Sequence, residues 1–293
     1  MAFNWPVFWT RAFTALIFVT VMAAGFLYNE WSFFILISII HFGCWQEYNR
    51  LIAKMYHHQP EPVLQLGFMA LGYHLVLLFA KDLSLAGFNL AGSFSLPFLI
   101  VGMVLIIVGV FRQKTINLKV LLAQGLGLLY ISLSLSLFIH LRMSDYPLIK
   151  DATELWGQDN GFYFPIIIIL AIWINDTMAY LVGSAVGKTP FSKISPKKTL
   201  EGTIGGMVLC VLAITLLLKF YFHWHLLLGI SLLVAVFGTI GDLVESKIKR
   251  SAGVKDSGSI MPGHGGFLDR FDSLLIATPV VYLFILLVYL FNR

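Results

Sequence analysis

Long apolar runs separated by short polar breaks dominate the chain. Runs of about 18–20 apolar residues, when helical, match the roughly 30 Å hydrocarbon core of a bilayer. Nine such runs stand out, at about 11–28, 31–48, 63–81, 94–111, 119–141, 162–186, 203–222, 226–245 and 272–291. The pattern predicts an all-α, polytopic membrane protein with about nine transmembrane helices, since a helix pairs its own backbone groups where no water can. The first run carries no cleavage-site pattern and leads directly into the second, so it reads as a membrane helix and not a signal peptide. No internal repeat or low-complexity tract interrupts the series. The chain is therefore expected to form one integral domain over 1–293, with N-terminal spans over 1–160 and the chemistry-bearing spans and loops over 161–293.

Composition agrees with a membrane protein: 58% of the 293 residues are hydrophobic and 12% are charged. Placing the N-terminus inside the cell puts 15 of the 20 Lys and Arg on inside segments. This bias predicts an N-in, C-out arrangement. The net charge of +5 then belongs mostly to loops at an anionic membrane surface, and nothing calls for a nucleic-acid partner. Cys44 and Cys210 fall inside apolar runs and read as buried small side chains. No Cys/His spacing suits zinc, and His57-His58 and His223/His225 read as interfacial side chains.

Spans one to five show short loops and no polar cluster that suggests a reaction. The segment Ser246 to Asp272, SKIKRSAGVKDSGSIMPGHGGFLDRFD, is instead rich in charge and glycine. If the eighth helix continues past its apolar run, Asp242, Glu245, Ser246 and Lys249 share one face, where a carboxylate and a lysine can hold a divalent cation beside a phosphate. An ordinary Glu245–Lys249 pair on a solvated helix end is the alternative. Glycines in Pro262-Gly263-His264-Gly265-Gly266 let backbone N–H groups approach a phosphate closely. Asp269 and Asp272, one turn apart, open the last helix, where they could face an anion site or act as caps. Magnesium commonly takes one or two carboxylates plus substrate phosphates, and Asp242, Asp269 and Asp256 are the candidate ligands.

The other polar loop reads GKTPFSKISPKKTLEGTIGG, with Lys188, Lys193, Lys197 and Lys198 among hydroxyl donors. It is a candidate phosphate cradle, with positive-inside lysines and helix-packing glycines as the alternative. Gly183 to Thr189 mimics a P-loop but has three residues between its glycines where four are needed, and is rejected. Asp176 sits inside the sixth run, and an intramembrane carboxylate is a functional candidate by default.

Together these segments resemble the CDP-diacylglycerol synthase (phosphatidate cytidylyltransferase) family. Its signature is matched at Ser246, Lys249, Arg250, Lys255, Asp256, His264, Gly265, Gly266, Asp269, Arg270 and Asp272. The upstream stretches Asp176 to Tyr180 and Ser195 to Gly202 match as well, so the motif resemblance covers about 173–275. Met261 and Ser184 depart from the usual pattern, the latter where a basic residue often stands. The resemblance implies that CTP and phosphatidate react at the cytoplasmic face of a membrane, giving CDP-diacylglycerol and pyrophosphate. The spans suit a bacterial inner membrane or an endoplasmic reticulum membrane, and the compact 293-residue length favours the bacterial one. It implies Mg²⁺ on Asp242 and Asp269, with a two-cation site left open. It assigns Lys197, Lys198, Lys249, Arg250 and Arg270 to phosphates, Ser195 and Thr199 to the nucleotide, and His264, Asp176 and Asp256 to supporting contacts. A homodimer is compatible with it. The alternatives are the same transfer to another lipid phosphate, polyprenyl or ether-linked, or an anion transporter.

Overall fold

The computed structural model describes residues 5–113, 115–144, 160–192, 194–260 and 265–291. Ten α-helices follow one another among these residues. They are α1 (Trp5–Leu27), α2 (Glu30–Met55), α3 (Pro62–Phe79), α4 (Ser95–Arg112), α5 (Leu118–Gly127), α6 (Ser134–Met143), α7 (Tyr163–Val186), α8 (Leu200–Leu218), α9 (Trp224–Ser251) and α10 (Leu268–Phe291). A π-helical turn, Leu90–Phe94, leads into α4, and another, Leu128–Leu133, joins α5 to α6 in one continuous rod. A two-strand hairpin, Ser84–Leu85 with Phe88–Asn89, lies between α3 and α4.

All nine expected apolar runs are helical, and seven of the rods are long and apolar enough to cross a membrane. The other two differ for identifiable reasons. In α1 the described side chains make a shorter apolar helix, Ala12–Leu27. In α2 the apolar pattern is diluted by His41, Glu47 and Asn49, which are buried in protein. Two helices outrun their apolar cores because polar motif residues are themselves helical: α9 runs on to Ser251 and α10 starts at Leu268. The chain is an integral membrane protein.

Contacts divide the chain into two compact units, residues 1–139 with 248–271 and residues 140–247 with 272–293. In the first unit α2 begins with a reciprocal cap: Ser32 N donates to Asn29 Oδ1 at 2.7 Å and Asn29 N donates to Ser32 Oγ at 3.0 Å. Its buried polar face meets the π turn, where Trp45 Nε1 donates to Ser132 Oγ at 2.8 Å and His41 Nε2 lies 3.0 Å from the same oxygen. One turn further along α2, Gln124 Nε2 donates to Asn49 Oδ1 at 3.1 Å. The helices α3 and α4 approach through small residues. A Cβ at Gly102 would sit 2.7 Å from Leu71 N, and one at Gly109 would sit 2.6 Å from Leu64 N. Such backbone proximity replaces the hydrophobic drive that lipid does not supply.

In the second unit α7 packs against α8, where a Cβ on Gly206 would lie 2.8 Å from the Ala179 backbone nitrogen. There α9 and α10 are also close, since a Cβ on Gly241 would meet the Asp272 carbonyl oxygen at 2.5 Å. Cys44 and Cys210 are buried as free thiols, as expected.

These glycines make a sharp stability prediction. Gly109→Leu should cost about 1–3 kcal/mol by overpacking the α3–α4 contact. Gly125→Ala, whose new methyl meets nothing within 4 Å, should be neutral or gain about 0.5–1 kcal/mol. Thermal denaturation in detergent would order the melting temperatures as Gly125→Ala at or above wild type, with Gly109→Leu below.

Candidate active site

The polar loop before α8 in the second unit folds back on itself. Phe191 N donates to Lys198 O at 2.7 Å and Leu200 N to Thr189 O at 2.8 Å. Glu201, in the first turn of α8, closes the hairpin by accepting from Lys188 N and Thr189 N, both at 3.1 Å. Thr199 caps the helix, its Oγ1 accepting from Gly202 N at 3.2 Å. The loop reaches α7 closely because side chains are missing there: a Cβ on Gly202 would lie 2.7 Å from Ala179 O. This hairpin fixes the direction of the lysines it carries.

A cavity of about 580 Å³ lies beside it, inside the roughly 300–1,000 Å³ range of small-molecule sites. Asp176, Ser195, Lys197, Lys198, Thr199 and Asp242 all line this cavity. These are six of the candidates that the sequence nominates. Tyr180, Ser184 and Thr203, which the sequence reading touches as motif or loop positions, share the wall with Asn175 and Thr239, which it does not mark as ligand contacts. Lys198 Nζ lies 2.7 Å from Asp242 Oδ2. Asp176 and Asp272 are near enough to interact with both the Asp242 charge and the Lys198 charge. Asp242 is thus in ion-pair contact with Lys198, while Asp176 and Asp272 lie within electrostatic reach of that pair. Asp272 reads in the sequence only as a motif position and a possible cap; its membership of this group needs the fold.

The described part of the Ser246–Asp272 segment that precedes Asp272 belongs largely to the first unit. Gly253, at φ +68°, stops α9 in the left-handed conformation that favours glycine. Lys249 reaches beyond the surface of its own helix: its Nζ lies 2.6 Å from Asp269 Oδ1. The other oxygen, Asp269 Oδ2, accepts from Gly266 N at 2.8 Å and from Ser257 N and Ser257 Oγ, both at 2.9 Å. Gly265 adopts φ +81° beside the same carboxylate. Arg250 is exposed and donates from Nη1 to Val254 O at 2.9 Å. Arg270 and Asp256 are also exposed, and Lys193, Met261 and His264 lie outside the described residues. Asp242 and Asp269, expected to converge, fall in different units, and each has a lysine partner of its own.

Spans one to five, expected to carry no chemistry, do contribute to the polar machinery. They do so through Glu47 of α2, which is 4% exposed. Its carboxylate accepts from Ser257 Oγ at 2.7 Å, Phe267 N at 2.9 Å and Leu268 N at 3.0 Å. A carboxylate within or beside an apolar run is costly and is itself a signal. With no recognisable motif around it, that signal is easily passed over.

Among the described residues no group of three or more His, Cys, Asp or Glu side chains is arranged to enclose a metal ion unaided. The second-unit carboxylates suit a different arrangement, in which substrate phosphates complete the coordination.

Comparison with known proteins identifies the family. The model of the cytidylyltransferase family matches residues 9–288. The chain is similar to the phosphatidate cytidylyltransferase of Staphylococcus haemolyticus, with 35% identity over 241 residues, covering 75% of this chain and 91% of that protein. It is also similar to the Staphylococcus aureus protein of the same name, at 44% identity over 129 residues, which is 42% of this chain and 49% of that protein. With a family match running through nearly all of its helices and both polar loops, the chain belongs to the cytidylyltransferase family.

Proposed function

We propose that this protein is a phosphatidate cytidylyltransferase, joining CTP and phosphatidate to give CDP-diacylglycerol and pyrophosphate. The observation that carries the reading is the second-unit cavity, where Lys197, Lys198, Ser195 and Thr199 face Asp242 and Asp176. Such a wall offers cations for phosphates and carboxylates for a metal that bridges them. A phosphate oxygen of phosphatidate attacks the α-phosphorus of CTP, and the bond to the β-phosphate oxygen breaks. Pyrophosphate carries away the electron pair. The attacking phosphate monoester is already anionic near neutral pH, so no side chain need act as a base.

The work left to the protein is positioning and charge neutralisation. Lys198 would exchange its Asp242 partner for a phosphate of CTP, with Lys197 beside it. Thr199 and Ser195 would orient the nucleotide from the hairpin that Glu201 closes. The donor set suits Mg²⁺ at Asp242 with Asp272, which would neutralise the triphosphate and polarise its α-phosphorus when bound. Asp269, already accepting from Lys249, Ser257 and Gly266, acts on this reading as a loop clasp and stays outside the metal set. Asp256 stands in the exposed loop and is left outside it too. Lys249, Arg250, Arg270 and His264 remain candidates for phosphate contacts by family resemblance. The setting is the inner membrane of a bacterium, with the cavity on the cytoplasmic side.

The test is CDP-lipid formation from labelled CTP in detergent, with a panel of lipid phosphates. Phosphatidate should be converted in preference to polyprenyl or ether-lipid phosphates, and chelation should abolish turnover. Asp242→Asn, Asp272→Asn and Lys198→Met should each lose about 100-fold or more in kcat, as expected when a preorganised electrostatic contact is removed. Robust turnover by Asp242→Asn would overturn the metal assignment, and no product with any lipid phosphate would overturn the activity. A reporter fused after Arg293 should report from outside the cytoplasm; a cytoplasmic signal would overturn the orientation.

A further inference from the structure

The family resemblance concentrates the chemistry after residue 173, yet a buried carboxylate of the first unit that accepts three hydrogen bonds sits on α2. Glu47 faces donors from both ends of the motif loop. Ser257 Oγ approaches Oε2 at 2.7 Å, Leu268 N approaches the same oxygen at 3.0 Å, and Phe267 N approaches Oε1 at 2.9 Å. Phe267 and Leu268 form the start of α10, so a buried negative charge meets the positive end of that helix. The loop ends are shaped around the carboxylate: a side chain at Gly258 or at Gly266 would run into the Glu47 carboxylate oxygens.

A second feature of α2 serves the same loop. Gly43 lies one turn before Glu47, on the same face. A Cβ at Gly43 would overlap the ring of Phe267. The helix thus offers a two-part socket, in which Gly43 seats the Phe267 ring and Glu47 holds the Phe267 amide. Ser257 links this socket to the motif carboxylate, since its hydroxyl lies 2.7 Å from Glu47 Oε2 and 2.9 Å from Asp269 Oδ2. Asp269 in turn holds Lys249 at 2.6 Å.

We propose that Glu47 is a positioning residue for the reaction: with Gly43 it locks both ends of the motif loop, Ser257 on one side and Phe267 with Leu268 on the other, against α2. Through Ser257 it fixes Asp269 and, with it, the Lys249 ammonium group. This rests on the cytidylyltransferase reading of the site, because it treats the loop and Lys249 as phosphate-facing parts. Glu47 touches no reacting atom; its effect travels through the loop backbone and Ser257.

The experiment compares Glu47→Gln with wild type in detergent. Hydrogen exchange is read at the Phe267 and Leu268 amides, and steady-state kinetics are read with CTP and phosphatidate. Glutamine keeps the size of the side chain but removes its charge and one acceptor. The two amides should exchange about tenfold faster or more, as expected on losing a charge-assisted bond. KM for CTP should rise about fivefold or more, an effect on the order of 1 kcal/mol at the transition from free to bound nucleotide, while the folded fraction holds. Unchanged amide protection overturns the proposal. So does an unchanged KM with a rate that falls only as the folded fraction falls. Should Glu47→Gln not fold, Ser257→Ala carries the same test from the loop side. It should loosen the loop amides and raise KM for CTP, and wild-type values for both would overturn the proposal. If wild-type protein makes no CDP-lipid, the functional reading fails instead, and amide exchange alone still decides whether Glu47 locks the loop.

Discussion

A carboxylate taken out of water must be met by donors or by a cation, because an isolated buried charge costs far more than the modest net stability of a folded protein. The polar architecture of this chain follows from how each acid meets that demand. Glu47 is met by two backbone amides and a hydroxyl. Asp269 is met by a lysine, two backbone amides and the same hydroxyl. Glu201, which stays in contact with water, is likewise met by the amides of Lys188 and Thr189. These three acids are closed structures, each pinning a loop. Asp176, Asp242 and Asp272 are different: Asp242 pairs with Lys198, and the other two lie within electrostatic reach of that pair.

The distinction separates two roles that identical residue types can take within one motif. Asp269 and Asp272 are one helical turn apart on α10. One accepts a full set of protein donors, and the other joins a group of like charges. Helix carboxylates with complete donor sets hold loop geometry, whereas an under-neutralised carboxylate is a candidate for holding a ligand. The hairpin before α8 shows both levels at once. Glu201 and Thr199 fix its backbone, and Lys197 and Lys198 are left to face the cavity.

The helices were legible in the sequence because bilayer-length apolar runs allow few other structures. The cavity residues were legible because unlike charges and hydroxyls concentrated in a loop have little other reason to occur in so apolar a chain. Six of them, including Lys198 and Asp242, line one cavity. Pairing was not legible. Lys249 lies against Asp269, 20 residues away, a contact that helical spacing does not report. Glu47 lies 210 residues from Ser257, and no local pattern reports a contact of that separation. Asp272 reads equally well as a cap until the fold sets it beside Asp242.

The glycines of the motif loop carry an internal constraint beside the phosphate-facing role that the sequence suggests. In the sequence Gly265 and Gly266 suggest backbone amides bared for a phosphate. In the fold their first constraint is internal. Gly266 N donates to Asp269 at 2.8 Å, and a side chain there would strike Glu47. Gly265 holds φ +81° with Asp269 Oδ2 at 2.6 Å from the place a Cβ would occupy. Both positions therefore require glycine whether or not a phosphate ever approaches. The candidate polyanion contacts are the Lys197–Lys198 pair of the cavity and, by family resemblance, the Lys249, Arg250 and Arg270 cations that the motif segment carries. A loop so tightly bound to its own acids contributes something else: a fixed platform, which lets the charges it carries be aimed before the substrate arrives.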